Sequence, residues 1–219
     1  MEQRLGNLAQ IYRGRVILRE DVEEQGSVSV LNVSNINDEE VQFGQMDVIR
    51  LAEPELSKYR VKVNDLVVTA RGTRFKCGVI RMLPSTALIL SGNLLGLRFT
   101  EPVHAEYLNI YFRTEKGKSQ IEADASSNGG INLGKKTLEE LMIPMMNTGE
   151  LNGLVEEFKR EQQVYLRQAE SARERWLRSR QRLFSCLENG SYEMVETAER
   201  KSLSKRESRQ KDRLFIELD

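Results

Sequence analysis

The chain is poor in the residues around which enzymes and secreted scaffolds are built. Its 219 residues include two cysteines, Cys77 and Cys186, with no CxxC or metal-ligand spacing. Two distant thiols are too few for a disulfide framework, so both are expected to be reduced, in a cytoplasmic protein. The one histidine, His104, has no second ligand near it in sequence and reads as a surface or capping residue rather than a metal ligand or general base. No apolar run approaches the roughly 20 residues that span a bilayer. Met1 is followed by Glu2 and Arg4 rather than by an apolar leader, so no signal peptide is expected. GxGxxG, GxxxxGK[ST], GxSxG, HExxH and NPPY- or DPPY-type motifs are missing, as is a paired acidic run followed by ExK. These absences disfavour nucleotide-dependent, hydrolytic, methyl-transferring and nuclease chemistry; no catalytic residue, cofactor or metal is expected.

What is present divides near Gly149. All four prolines, nearly all the glycines and most Val and Ile precede Leu151; Arg, Glu, Gln, Leu and Ala dominate after it. The length suits one domain plus an extension. Lys plus Arg and Asp plus Glu cancel at 33 each, which leaves a local basic face open, because a nucleic-acid binder needs such a face more than a basic total. The expected fold class is α+β: a β-rich globular domain over 1–147, a long coiled-coil helix over 148–190, and a charged helical or partly disordered tail over 191–219.

Alternation and β-branching predict strands at Val28–Val33 and Tyr59–Val63. The short apolar runs Asp65–Ala70, Cys77–Ile80, Ala87–Leu90 and Asn93–Phe99 read as further, buried strands. Ala105–Phe112 has helical spacing, and Thr137–Leu141 resembles an N-cap with a capping box, a short helix that Pro144 stops. From Leu151 the period changes. Leu151, Val155, Phe158, Gln162, Tyr165, Ala169, Ala172, Trp176, Ser179 and Leu183 step by four and three, an a/d seam flanked by charge. No proline or glycine falls between Leu154 and Asn189, so a helix over ~50 Å long is expected. Such a helix needs a partner along its seam, and the small Ala169 and Ala172 let one approach.

Three loops carry candidate contact residues. Between Arg60 and Arg81 six Lys or Arg face one acid, Asp65, and the strand ending at Ala70 opens into Arg71, Gly72, Thr73, Arg74, Phe75 and Lys76. Guanidinium groups on such a loop suit guanine edges and an ammonium suits phosphate; a solvated hairpin with ordinary surface charge has the same composition. Ser126, Ser127, Asn128, Gly129 and Gly130, followed by Lys135 and Lys136, suit close approach to a backbone or any exposed turn. Tyr12-Arg13-Gly14-Arg15 is a third turn, with two arginines. The arginines of the long helix read as coiled-coil flank charges more readily than as nucleic-acid contacts.

Taken in order, these pieces resemble one half of a type I restriction-modification specificity (S) subunit. Leu5–Ile11 with Arg13 and Gly14, then Val30–Ile36, match its opening strands; Val63–Gly78 matches its Gly-Asp segment; Ser91–Arg98 and Glu106–Leu108 with Gly117 match the strand and helix that follow. Ile131–Leu133, Leu138, Leu141, Ile143 and Pro144 match its closing segment, and the long helix falls at its spacer. The resemblance covers roughly 1–188. Three positions depart from it: Asn64 replaces the glycine before the aspartate, Met145 replaces a second proline, and Asn147–Leu151 replaces the usual opening of the helix. It implies a non-catalytic protein that binds double-stranded DNA and directs adenine methyltransferase subunits, with a restriction translocase as a further partner and no membrane. With one recognition domain where the family has two, two copies would pair through Leu151, Val155, Phe158, Tyr165, Ala169, Ala172, Trp176 and Leu183, and read an interrupted palindrome. Its implied DNA contacts are Arg13, Arg15, Arg71, Thr73, Arg74, Lys76, Ser127, Asn128, Lys135 and Lys136. The alternative is a non-reading interaction protein, a decoy of the same fold.

Overall fold

Strands form where apolar runs are short and helices where helical spacing persists. In a computed structural model, which describes residues 1–37, 40–127 and 130–189, the elements are β1 (Glu2–Arg4), α1 (Leu5–Leu8), β2 (Ala9–Arg13), β3 (Val28–Leu31), β4 (Asp47–Ile49), α2 (Glu53–Tyr59), β5 (Leu66–Thr69), β6 (Arg71–Gly72), β7 (Cys77–Val79), β8 (Ala87–Leu90), β9 (Leu94–Phe99), α3 (Pro102–Tyr111), α4 (Glu115–Ala125), β10 (Ser126–Ser127), β11 (Gly130–Asn132), α5 (Lys135–Glu140), β12 (Met142–Pro144) and α6 (Thr148–Glu188). The chain is α+β with a long carboxy-terminal helix, in two units, Met1–Glu161 and the remainder from Gln162. The segment 191–219, expected to be a helical or partly disordered tail, lies outside the described residues.

The first unit is built on an antiparallel sheet in the order β2-β9-β5-β7. All four residues of β5 are buried, which explains a continuous apolar run in place of an alternating one. Period-two geometry sends Leu66 and Val68 to one face and Val67 to the other. The first face packs against α3 and α5 and against Leu151 and Val155 of α6. The second packs through Leu31, Leu88 and Leu90 against a smaller sheet, β4-β3-β8, in which β3 and β8 run parallel. Each fully buried Leu or Val here contributes about 2 kcal/mol.

Two sequence expectations are corrected. Tyr59–Val63 is not a strand: Tyr59 closes α2, Arg60 makes one isolated bridge to Ile89, and the chain then turns. Pro54 near the start of α2 and the two glutamates of its first turn favour a helix there. Thr137 does not cap α5, which begins two residues earlier with Gly134 at its N-cap and no side-chain cap. The capping box belongs instead to α6, where Asn147 Oδ1 accepts from the Glu150 N–H (2.9 Å) and Glu150 Oε2 accepts from the Asn147 N–H (3.3 Å).

The departures from the S-subunit pattern fit this geometry. Asn64 has a φ of 70°, in the left-handed region where Asn is the usual substitute for glycine. The Met145 N–H donates to the Met1 carbonyl (2.6 Å) beside the β1·β12 pair, a bond that proline could not make.

Candidate nucleic-acid interface

Strand direction gathers the candidate loops. β2 and β5 both run antiparallel to β9, with Arg13 opposite Leu95 and Thr69 opposite Leu94; β7 runs back along β5, with Cys77 opposite Val68. The turns leaving β2 and β5 and those entering β9 and β7 therefore share one end of the sheet. Backbone hydrogen bonds lock them together. Asn93 O accepts from the Ala70 and Arg71 N–H groups (2.8 and 3.1 Å), the Gly14 N–H donates to Leu94 O (3.2 Å), and the Arg15 N–H donates to Leu90 O (2.8 Å). The third loop is tied in by strand pairing, since β11 lies between β10 and β6 with Ile131 opposite Gly72 and Asn132 opposite Arg71. The Leu133 N–H donates to Ala70 O (2.7 Å), which brings the start of α5, with Lys135 and Lys136, to the same end.

Within this cluster the cations divide into two kinds. Arg15 is held by Glu55 (2.8 Å) and Asp21 (3.2 Å). Hydrogen bonding to Glu55 raises its pKa further, and the Asp21 carboxyl is lowered first by the Leu18 N–H. Lys76 donates its Nζ to the carbonyls of Ile36 (2.7 Å) and Val33 (3.4 Å). Lys135 pairs one turn along its helix with Glu139 (3.5 Å). By contrast Arg13, Arg71, Arg74 and Lys136 are exposed, and no hydrogen bond or ion pair engages their charged groups among the described residues. Thr73 is exposed beside Arg74, Ser127 lies in β10, and Asn128 is outside the described residues.

A buried network behind the loops was not among the expected site residues. Asp65, 1% exposed, accepts from Nε and Nη2 of Arg98 (2.9 and 2.6 Å), from the Tyr12 hydroxyl (2.6 Å) and from the Lys62 N–H (2.8 Å). The Arg98 guanidinium also lies 5.1 Å from the centre of the Tyr12 ring. Burial, and then the charge of Asp65, drive the Tyr12 hydroxyl far above its ordinary pKa, so it stays a donor. Gly96 opposite Tyr12 makes the arrangement possible, because a Cβ there would lie 2.2 Å from the ring. The signal in the sequence was a tyrosine adjoining Arg13 and an acid alone in a basic segment.

The apolar seam also splits. Leu151 and Val155 are buried in the first unit and Phe158 is half-buried. In the second unit Tyr165, Trp176 and Leu183 are exposed, at 59, 60 and 49%, as are Ala169 and Ala172. No helix among the described residues is long and apolar enough to cross a membrane. His104 packs edge-on against Phe99.

No protein-family model matches the sequence, and no curated protein matches it. Solved structures do match. One from a study of assembly and conformational transition in the type I restriction-modification system is 16% identical over 82% of this chain and 43% of its own, with a TM-score of 0.59. The HsdS subunit of Thermoanaerobacter tengcongensis is 17% identical over 77% and 39%, with a TM-score of 0.49. The type IIG restriction endonuclease BpuSI is 14% identical over 72% and 26%, with a TM-score of 0.51. The chain thus shares its fold, over most of its own length, with a chain of the type I restriction-modification system, and it spans less than half the length of these matched chains.

A tight contact holds the loop cluster in place. A Cβ on Gly14 would sit 2.0 Å from the Ser91 carbonyl oxygen and 2.6 Å from that of Leu90. Gly14→Ala should therefore part these turns, costing about 2 kcal/mol or more of stability. Urea unfolding of the variant checks this, and an unchanged midpoint would show that the turns yield without loss.

Proposed function

We propose that the chain is a non-catalytic specificity subunit that reads duplex DNA sequence with one end of its sheet and directs an adenine methyltransferase to the site it reads. Arg71 reaches base edges, Arg13, Arg74 and Lys136 take phosphates, and Thr73, Ser127 and Asn128 add polar contacts. Arg15 and Lys135 brace the surface through ion pairs, and Lys76 through two carbonyls that take two of its three donors. The observation that carries the reading is the convergence of separate basic loops on one edge, where several cations lack intramolecular partners. Cations left in water beside the exposed Thr73 are what groove and phosphate contacts require. Two copies pair through the exposed part of the seam, which gives the reader a dyad and a bipartite target. The methyltransferase, and a restriction translocase where one exists, assemble on this dimer.

Selection from a randomised duplex pool by the full chain with its methyltransferase tests the reading. Enrichment of an interrupted palindrome is expected, and recovery without sequence preference would sink the proposal. Arg71→Ala combined with Arg74→Ala should weaken binding to the selected site by about 3 kcal/mol, over a hundredfold, relax the preference at the base that Arg71 reads, and reduce the slope of log affinity on log salt by about 1. Fold stability should be unchanged, since neither guanidinium has a partner to lose. Lys76→Ala should instead destabilise the fold.

A further inference from the structure

Behind the Arg71–Lys76 loop the first unit holds an open cleft of about 650 Å³, within the range of small-molecule sites. Its lining places positive charge beside flat apolar surface. Phe75 meets Phe112 edge-on at 5.7 Å, and Phe158 of α6 adds a second wall. Arg74, Lys76 and Lys118 line it as cations and Glu122 lines it as a carboxylate. Lys76 is the informative one. An ammonium has three N–H donors; two carbonyls take two of them, and among the described residues no carboxylate pairs with it. A full charge and one donor remain for whatever enters. An inorganic anion would leave the phenylalanines unused, and an apolar ligand would leave the cations unanswered. A ring joined to an anion uses both.

We infer that this cleft binds a nucleotide unit, with its base against Phe75 and Phe158 and its phosphate on Lys76 and Arg74. The unit is either a free mononucleotide or an unstacked base of a bound duplex; the second source rests on the DNA reading proposed above and the first does not. Aromatic side chains hold unstacked bases with little regard to sequence.

Two titrations of the full chain separate the sources. The first compares adenosine 5′-monophosphate with inorganic phosphate by calorimetry. The second compares a fully paired duplex with the same duplex carrying one unpaired base, by fluorescence anisotropy. The expected result is preference for the monophosphate over phosphate, or for the unpaired over the paired duplex, by about tenfold or more. The affinity for the monophosphate should fall about tenfold in Lys76→Gln, whose amide still donates to the Ile36 carbonyl, and in the partnerless Arg74→Ala. No preference in either arm, or a monophosphate affinity that both variants keep, overturns the inference. If the paired duplex binds and neither arm shows preference, the cleft is refuted and the DNA reading stands. If the monophosphate binds and no duplex does, the cleft stands and the DNA reading falls.

Discussion

Asp65→Ala is expected to lower the unfolding free energy of the Met1–Glu161 unit by about 3 kcal/mol and its melting temperature by about 10 °C. The carboxylate is almost wholly buried and serves three partners on β2, β9 and the turn before β5. Removing it leaves the Tyr12 hydroxyl and the Lys62 N–H without an acceptor, and Arg98 without its counter-charge. Arg98 is 28% exposed in its side chain, so water recovers part of its loss, and the estimate sits at the low end for a broken buried pair. Asp65→Asn should recover little, since an amide presents N–H₂ where Arg98 needs an acceptor. Tyr12→Phe should cost only about 1 kcal/mol. Trp176 is the single tryptophan and lies in the second unit, so tryptophan emission does not report on this unit. Urea titration followed by near-ultraviolet circular dichroism of the tyrosines does. A loss under about 1 kcal/mol for Asp65→Ala would show that dehydrating the charges nearly cancels their attraction.

Trp176→Ala combined with Leu183→Ala is expected to turn the proposed dimer into a monomer, weakening self-association by about 5 kcal/mol, or several thousandfold. Both residues are about half exposed in the single chain, and each large side chain fully buried in an interface contributes roughly 2–3 kcal/mol. A symmetric pair loses four at once, and the sum is reduced because truncations on one seam are not additive. Helicity should fall together with association, because an isolated amphipathic helix of this length draws its stability from packing. Sedimentation equilibrium across a concentration series reads the first effect and far-ultraviolet dichroism the second. A wild-type chain that stays monomeric at high concentration would remove the seam from the proposal. The first unit should keep its fold in either case, since its share of the helix is anchored through Leu151 and Val155.

The strands were legible because burial on both faces leaves an apolar run that no other local structure explains; Leu66–Thr69 and Leu94–Phe99 are the clearest cases. The long helix was legible because nothing in Leu154–Asn189 could stop it. Tyr59–Val63 misled because the alternation straddles the end of a helix and a turn, and each half satisfies a two-residue period by accident. At the site, residue type was readable and commitment was not. Lys76 and Arg74 are equivalent in sequence, yet one is tied to carbonyls some forty positions upstream and the other to nothing. Arg13 and Arg15 differ in the same way, through carboxylates that only the fold brings near. The Tyr12–Asp65–Arg98 network escaped notice because its members are 53 and 33 positions apart.

That division among the cations bears on how such a protein changes over time. Arg15 and Lys76 cannot vary without loosening the domain, so selection for folding holds them in place. Arg13, Arg71, Arg74 and Lys136 carry no such obligation, and most substitutions there should be neutral to stability. On the proposed DNA reading, a lineage can therefore explore new target sequences one exposed side chain at a time, on a scaffold that does not register the difference.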